Sequence, residues 1–466
     1  MHKVLAFLAL AAVPAVASST ALADVVPHPQ ADGQALDLAR KAIALRSVAG
    51  PGDRTADVAR LFRKTLLAGG FASRDITITP FRDTVYMTAT WPGTNPALKP
   101  LVLLGHIDVV EAKPADWQRD PFTPVVENGY LFGRGSTDMK LDDAMIIAAV
   151  LELKREGYRP ERSIVLAFSG DEETEMRSGE ALADRLANAE MVLNVDLASG
   201  VLDEQTGKPK YFTWTGAEKT CIDYQLTVTN PGGHSSEPRA DNAIDVLAAA
   251  LLRVQAHRFR PEVNDLTRRY FTQAADLQPA PIGQAMKAFA ANPADRKAIA
   301  TLSADPAMVG RLGTTCVVTM VQGGHAVNAL PQRATATIDC RIFPGHSAQD
   351  IMAELQQVIA DPQVKVTNVT AGSAVTAPSP MRPDFVNAVT KAVDSVYPGL
   401  PVIPSMLSGA TDNMWFRAHG VPSYGASPLF IKPSENFSHG LNERTPVASI
   451  APGMDYLLSI ISDLSH

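Results

Sequence analysis

Three continuous apolar runs constrain this chain more than any other feature: Leu101–Leu104, Ser163–Phe168 and Met191–Val195. A strand with one wet face alternates apolar and polar residues. These runs do not alternate, so each predicts a strand buried on both faces. Between the first two, Leu141, Met145, Ile146, Ala149, Val150 and Leu153 recur at helical spacing, and a helical segment follows near Glu180–Ala189. Ala35–Leu45 and Asp53–Ala68 also read as helices. Buried strands alternating with helices predict an α/β domain built on a mainly parallel sheet.

The pattern changes near residue 217. Ile222, Tyr224, Leu226 and Val228 alternate, as in a strand with one face exposed. A helix over Asn242–Ala256, strands over Thr314–Gln322 and Ala334–Arg341, a helix over Ser347–Ala360 and a strand over Val364–Thr370 follow. The order βαββαβ is that of a ferredoxin-like α+β unit. An Ala- and charge-rich insert, 259–311, reads as helical, and α/β character resumes near residue 372 with a helix over Pro383–Val396. The expected organisation is therefore a discontinuous α/β domain, 24–216 and 372–466, interrupted by a smaller α+β domain over 217–371. Clefts between such domains favour binding sites.

Residues 1–23 read as a secretory leader: Lys3, an apolar run from Val4 to Ala17, then Ala21-Leu22-Ala23 as a small-x-small cleavage site. The expectation is an exported protein, periplasmic or secreted, with no membrane span in its mature chain. A formal charge of −7 without a long basic run argues against nucleic-acid binding. Export permits disulfides, and Cys316 and Cys340 fall in two strand-like runs that could be neighbours. A bridge and three free thiols both fit the sequence.

Ligand sites in open α/β sheets lie past the carboxyl ends of the strands. There this chain carries Gly105-His106-Ile107-Asp108, Asp171-Glu172-Glu173 and Asp196, with Gly133-Arg134-Gly135-Ser136-Thr137-Asp138-Met139-Lys140 opening a helix and Ser438-His439-Gly440 near the C-terminus. Carboxylates crowded at one rim repel one another unless a cation neutralises them. Oxygen and imidazole donors without thiolate suit zinc, with cobalt or manganese as substitutes. The ligand supply fits two metals, which need a bridging carboxylate.

Together, and in this order, these motifs resemble the dinuclear zinc peptidase family of aminoacylase, carboxypeptidase G, carboxypeptidase S, acetylornithine deacetylase and succinyl-diaminopimelate desuccinylase. The resemblance covers nearly the whole chain after the leader. It implies that Asp138 bridges two zinc ions, with His106 and Asp196 completing one site and Glu173 and His439 the other. Asp108 would hold the ring of His106. Glu172 would be the general base toward a metal-bridging water and would return the proton to the leaving nitrogen. In the lid, Gly233-His234-Ser235-Ser236 resembles the segment whose histidine donates to the developing oxyanion, in many relatives from the other subunit of a lid-to-lid homodimer. The 259–311 insert resembles the longer lid of the carboxypeptidase S branch. Asn328 and Arg341 match lid segments facing substrate; Arg341 would clamp a free carboxylate or, alternatively, pair with Asp339. Gly409-Ala410-Thr411-Asp412 resembles the glycine-rich loop lining the pocket.

G-x-S-x-G and H-E-x-x-H are absent from the chain, against serine-hydrolase and single-zinc protease readings. An inactive metal- or peptide-binding relative would have lost a ligand or the base, and all are present. The expected activity is hydrolysis of an amide bond beside a free carboxylate, on a small peptide or an N-acyl amino acid. An aminopeptidase or dipeptidase is the alternative.

Overall fold

The computed structural model describes residues 26–196 and 199–466; the leader expected at 1–23 lies outside them. The three apolar runs form the strands Leu101–His106, Ile164–Ser169 and Met191–Asn194, with every residue buried. Leu101–His106 lies in the middle and pairs in parallel with both others. Because side chains alternate across a strand, each run feeds two cores. Leu101 and Leu103 pack into one core with the helix Lys140–Arg155, while Val102 and Leu104 pack into another with the helices Arg177–Arg185 and Asn413–Ala418.

The large sheet is mixed. An antiparallel hairpin, Ile76–Phe81 with Thr84–Trp91, adds to the Ile164–Ser169 side. On the other side Ser423–Gly425 continues in parallel from Met191–Asn194, then Pro209–Glu218 and Gly200–Leu202 run antiparallel. Val402–Leu407 pairs in parallel with Pro209–Glu218, which therefore belongs to this sheet almost to the expected domain boundary. No unbroken apolar run marks this hairpin, because its strands alternate polar and apolar residues, as Thr84, Tyr86, Thr88 and Thr90 do against Val85, Met87, Ala89 and Trp91.

A four-stranded antiparallel sheet is formed by Thr220–Thr229, Thr315–Gly323, Arg333–Ile342 and Lys365–Asn368, with the helices Ala243–Ala256 and Ala348–Ile359. Its order places Thr315–Gly323 at one edge and Lys365–Asn368 at the other. Buried positions alternate along Thr220–Thr229 and Arg333–Ile342, and their inward side chains pack with Leu247, Ala250 and Leu355. Cys316 faces Cys340 across paired strands, and the two form a disulfide; Cys221 is free.

The insert is helical, over Asp265–Gln273, Ala280–Ala291, Arg296–Ser303 and Pro306–Val309. Its apolar core, including Phe271, Met286 and Phe289, incorporates Tyr211 and Ile403 from the large sheet. Although it interrupts the α+β unit in sequence, the insert therefore docks on the α/β domain. One segment, Val447–Leu464, is long and apolar enough to span a membrane by length and composition alone. Its helical part, Ile450–Leu464, is packed into the core, where Met454, Leu457, Ile460 and Ile461 are fully buried.

Candidate metal centre

The strand Leu101–His106 delivers His106 at its carboxyl end. Side chains crowd close there: a Cβ on Gly105 would lie 2.1 Å from Asp143 Oδ1 and 2.9 Å from Met139 Cε, so any larger residue would have to displace them. His106 Nε2 sits 3.0 Å from Asp138 Oδ1 and 3.9 Å from Asp196 Oδ1. On the opposite side His439 Nε2 lies 3.4 Å from Asp138 Oδ2 and 2.9 Å from Glu173 Oε2. The two oxygens of Asp138 thus face different imidazoles. Donor atoms of His106, Asp138 and Glu173 all lie within 4.8 Å of one another.

Carboxylates gathered this closely out of water are costly to keep ionised. Burial pushes the Asp196 carboxyl up to about 8, and raises Glu173 and, further, Glu172. Asp138 is held below its usual range against the opposing effect of burial, by His106 and His439. Hydrogen bonds to Asp138 and Glu173 in turn lift His439 to about 10. Glu173 Oε1 is buried without a partner, an arrangement that needs a proton, a water or an ion to offset the lost solvation. Oxygen and imidazole donors converging around an orphaned carboxylate oxygen fit divalent metal.

The two adjacent glutamates are distinct. Glu173 belongs to the cluster with His439, whereas Glu172 lines the open pocket and has no side-chain hydrogen bond among the described residues. Asp171 serves the fold instead: its carboxylate accepts from Arg177 N at 3.0 Å and Ser178 N at 2.9 Å, capping the helix that follows. Asp108 lies behind the His106 ring. Its main-chain oxygen is 3.1 Å and its Oδ1 3.6 Å from His106 Nδ1, and the same carboxylate accepts from the amides of Glu172 (3.2 Å) and Glu173 (3.0 Å). With Nδ1–H donating backward, Nε2 is left as the free donor atom toward a metal.

Asp138, Glu172, Glu173, Asp196 and His439 line one pocket of about 420 Å³ with Arg341, Leu407, Ser408 and the loop Gly409–Thr411. Arg341 lines this pocket, and its Nε donates to Asp339 Oδ1 at 2.9 Å, the pairing offered as the alternative. His234 and Asn328 are not brought there. His234 sits on a separate two-stranded ribbon, paired with Ala329, and Asn328 immediately precedes that ribbon's second strand; both are exposed.

Several supporting residues escaped the sequence reading. Glu443 is completely buried; its carboxylate accepts from Arg134 Nη1 (2.5 Å) and from the amides of Thr137 (2.7 Å) and Asp138 (3.0 Å). It also accepts from the amide of Gly135, whose φ of +94° suits glycine. Glu443 and Arg134 are 309 residues apart, and no local pattern joins them. Similarly, the buried pair Glu218–Arg417 (2.6 Å) fixes the pocket loop, because Glu218 Oε2 accepts from Thr411 N at 2.9 Å. Asp412, raised to about 7 by burial, accepts from Ser169 Oγ.

The mixed sheet and the acid–imidazole cluster at its carboxyl rim define a hydrolase of the metallopeptidase class. Residues 102–463 match the description Peptidase family M20/M25/M40, and the chain belongs to that family. It is 28% identical over 387 residues to "Probable carboxypeptidase S-like 2" of Dictyostelium discoideum, covering 80% of this chain and 73% of that one. It is likewise 28% identical over 384 residues to "N-fatty-acyl-amino acid synthase/hydrolase PM20D1" of Xenopus tropicalis, with 80% and 73% covered. Among solved structures it resembles the M20 family metallo-carboxypeptidase Sso-CP2 from Sulfolobus solfataricus, at a TM-score of 0.71 and 17% identity, covering 93% of this chain and 99% of that one.

Proposed function

We propose that this protein is an exported dinuclear zinc hydrolase that cleaves an amide bond beside a free carboxylate, acting on small peptides or N-acyl amino acids. The observation that carries this reading is the single pocket in which Arg341 faces the His439–Glu173–Asp138–Asp196 cluster and the uncommitted Glu172. His106, Asp138 and Asp196 would hold one metal, and Asp138, Glu173 and His439 the other. Zinc, or cobalt or manganese in its place, would polarise the amide carbonyl and acidify a bound water. Glu172 takes the proton from the attacking water on its carboxylate and delivers it to the departing nitrogen, one group serving as base and then acid. Arg341 fixes the substrate carboxylate through its guanidinium fork, with Asp339 holding the side chain at Nε. The names of the carboxypeptidase S-like and N-fatty-acyl-amino acid relatives agree with a substrate that ends in a carboxylate.

His234 and Asn328 are assigned to a pocket completed by a second copy, in a homodimer through the lid. Val317, Met320 and Val321 are exposed along the edge strand Thr315–Gly323, where a second chain would cover apolar surface and open backbone groups. The test of the activity is release of amino acids by zinc-loaded protein from N-acyl amino acids, dipeptides and matched amides lacking the carboxylate, with Glu172→Ala as the blank. Turnover restricted to carboxylate-bearing members, and lost apparent affinity in Arg341→Ala, is expected. Turnover of amine-bearing members without a carboxylate would replace this reading with an aminopeptidase one.

A further inference from the structure

A second cleft of about 220 Å³ borders the metal pocket and shares Asp196, Leu407 and Thr411 with it. Its walls are rich in donors: the hydroxyls of Ser199, Thr213, Thr215 and Ser405, the carboxamides of Asn413 and Asn436, and the guanidinium of Arg311. Arg311 belongs to the last turn of the insert. Its Nη1 donates to Tyr270 Oη at 2.5 Å and its guanidinium carbon lies 4.4 Å from that ring's centroid, so the group is held in place by one face and one nitrogen. Among the described residues no carboxylate pairs with it. Asp196 is the one acid in the cleft, and its charge is directed to the metal cluster.

The groups facing Arg311 are donors with capacity to spare. Among the described residues the hydroxyls of Thr215 and Ser405 make no hydrogen bond within the protein, and Ser199 Oγ accepts from Ser427 N at 2.9 Å and keeps its own hydrogen. An apolar acyl chain would leave these hydroxyls and the free edge of Arg311 unpaired, whereas a carboxylate accepts from them.

Resting on the amide-hydrolase reading above, we infer that this cleft is the acyl-side subsite and that Arg311 selects substrates carrying a second carboxylate there. The preferred substrate class is then a dianion with the scissile amide in the middle: a short dicarboxylic acyl group, or an acidic residue, joined to an amino acid. Arg341 takes the carboxylate of the amino acid and Arg311 the carboxylate of the acyl side. This gives the insert a function: by docking on Tyr211 and Ile403, it carries an arginine to the rim of the metal pocket.

The inference is tested by calorimetric binding to zinc-loaded Glu172→Gln protein, which holds the substrate without needing turnover. The probes are N-succinyl-L-alanine and N-butanoyl-L-alanine, which match in acyl length and differ in the terminal carboxylate. The expected result is at least tenfold tighter binding of the succinyl compound, falling to under threefold in Arg311→Ala. Arg311→Gln, which keeps a donor for Tyr270, should lose the preference equally, and unchanged melting of that variant separates recognition from damage to the insert. Equal binding of both probes, or a preference that survives both variants, overturns the inference. So does failure of the succinyl probe to bind. Arg341→Ala keeps the two readings apart: weakening both probes alike without any succinyl preference removes Arg311 as selector and leaves the hydrolase reading intact.

Discussion

Glu443 offers the sharpest test of how this site is built. It is fully buried and its carboxylate accepts from Arg134 at 2.5 Å, Thr137 N at 2.7 Å and Asp138 N at 3.0 Å. Removing one member of a buried ion pair strands the other, at about 3–5 kcal/mol. Arg134 would be that stranded charge, since it is itself 2% exposed. The main-chain amides that lose their acceptor push the Glu443→Ala cost toward the upper end, because an unsatisfied buried donor costs about 1–3 kcal/mol and water entering the new cavity relieves only part of it. Glu443→Gln keeps the shape and one oxygen acceptor, so it should cost less. The same amides set the position of the Asp138 carboxylate, and loss of such an outer support lowers metal affinity about 10- to 100-fold. Urea unfolding of metal-free protein gives the stability difference, and chelator competition gives zinc affinity. If Glu443→Ala lies within about 1 kcal/mol of the parent and binds zinc as tightly, the loop is not held as described.

Glu172→Gln should abolish turnover yet retain both metals by elemental analysis, because its side chain stands outside the His439–Glu173 pairing; loss of metal would mean that the roles of Glu172 and Glu173 are exchanged. His439 gives a pH dependence. In the metal-free protein Asp138 and Glu173 raise it to about 10, so it is protonated at neutral pH. Its ion pairs therefore contribute stability that is fully present below its ordinary value near 6.5 and lost as pH rises through about 10. A metal must displace that proton, so zinc affinity should rise between pH 6 and pH 8 with proton release seen by calorimetry in buffers of different ionisation enthalpy; a flat affinity would refute this. Denatured, unreduced protein should titrate one thiol, Cys221, and reduced protein three; three before reduction would remove the Cys316–Cys340 bridge.

Much of the architecture was legible because buried parallel strands write themselves as unbroken apolar runs, and Leu101–His106, Ile164–Ser169 and Met191–Asn194 fall where those runs predict. The helix Pro383–Val396 appears at its expected bounds, marked by a proline at its first turn and a clean apolar stripe. The hairpin at Ile76–Trp91 carried no such mark, since an edge hairpin with one polar side resembles loop sequence.

The sequence by itself placed three of the donor residues at one rim. His106, Glu173 and Asp196 follow the ends of strands that must lie side by side, and a parallel sheet sends those ends to one rim. Tertiary structure alone decided what holds them there and what surrounds them. Glu443 reaches Arg134 across 309 residues, and Glu218 reaches Arg417 across 199. It also decided that the insert docks on Tyr211 and Ile403, which places Arg311 beside the metal pocket. Such pairings depend on distances in space between segments that share no local periodicity. An apolar run reports that it is buried, but a lone arginine or glutamate carries no sign of the partner that permits its burial.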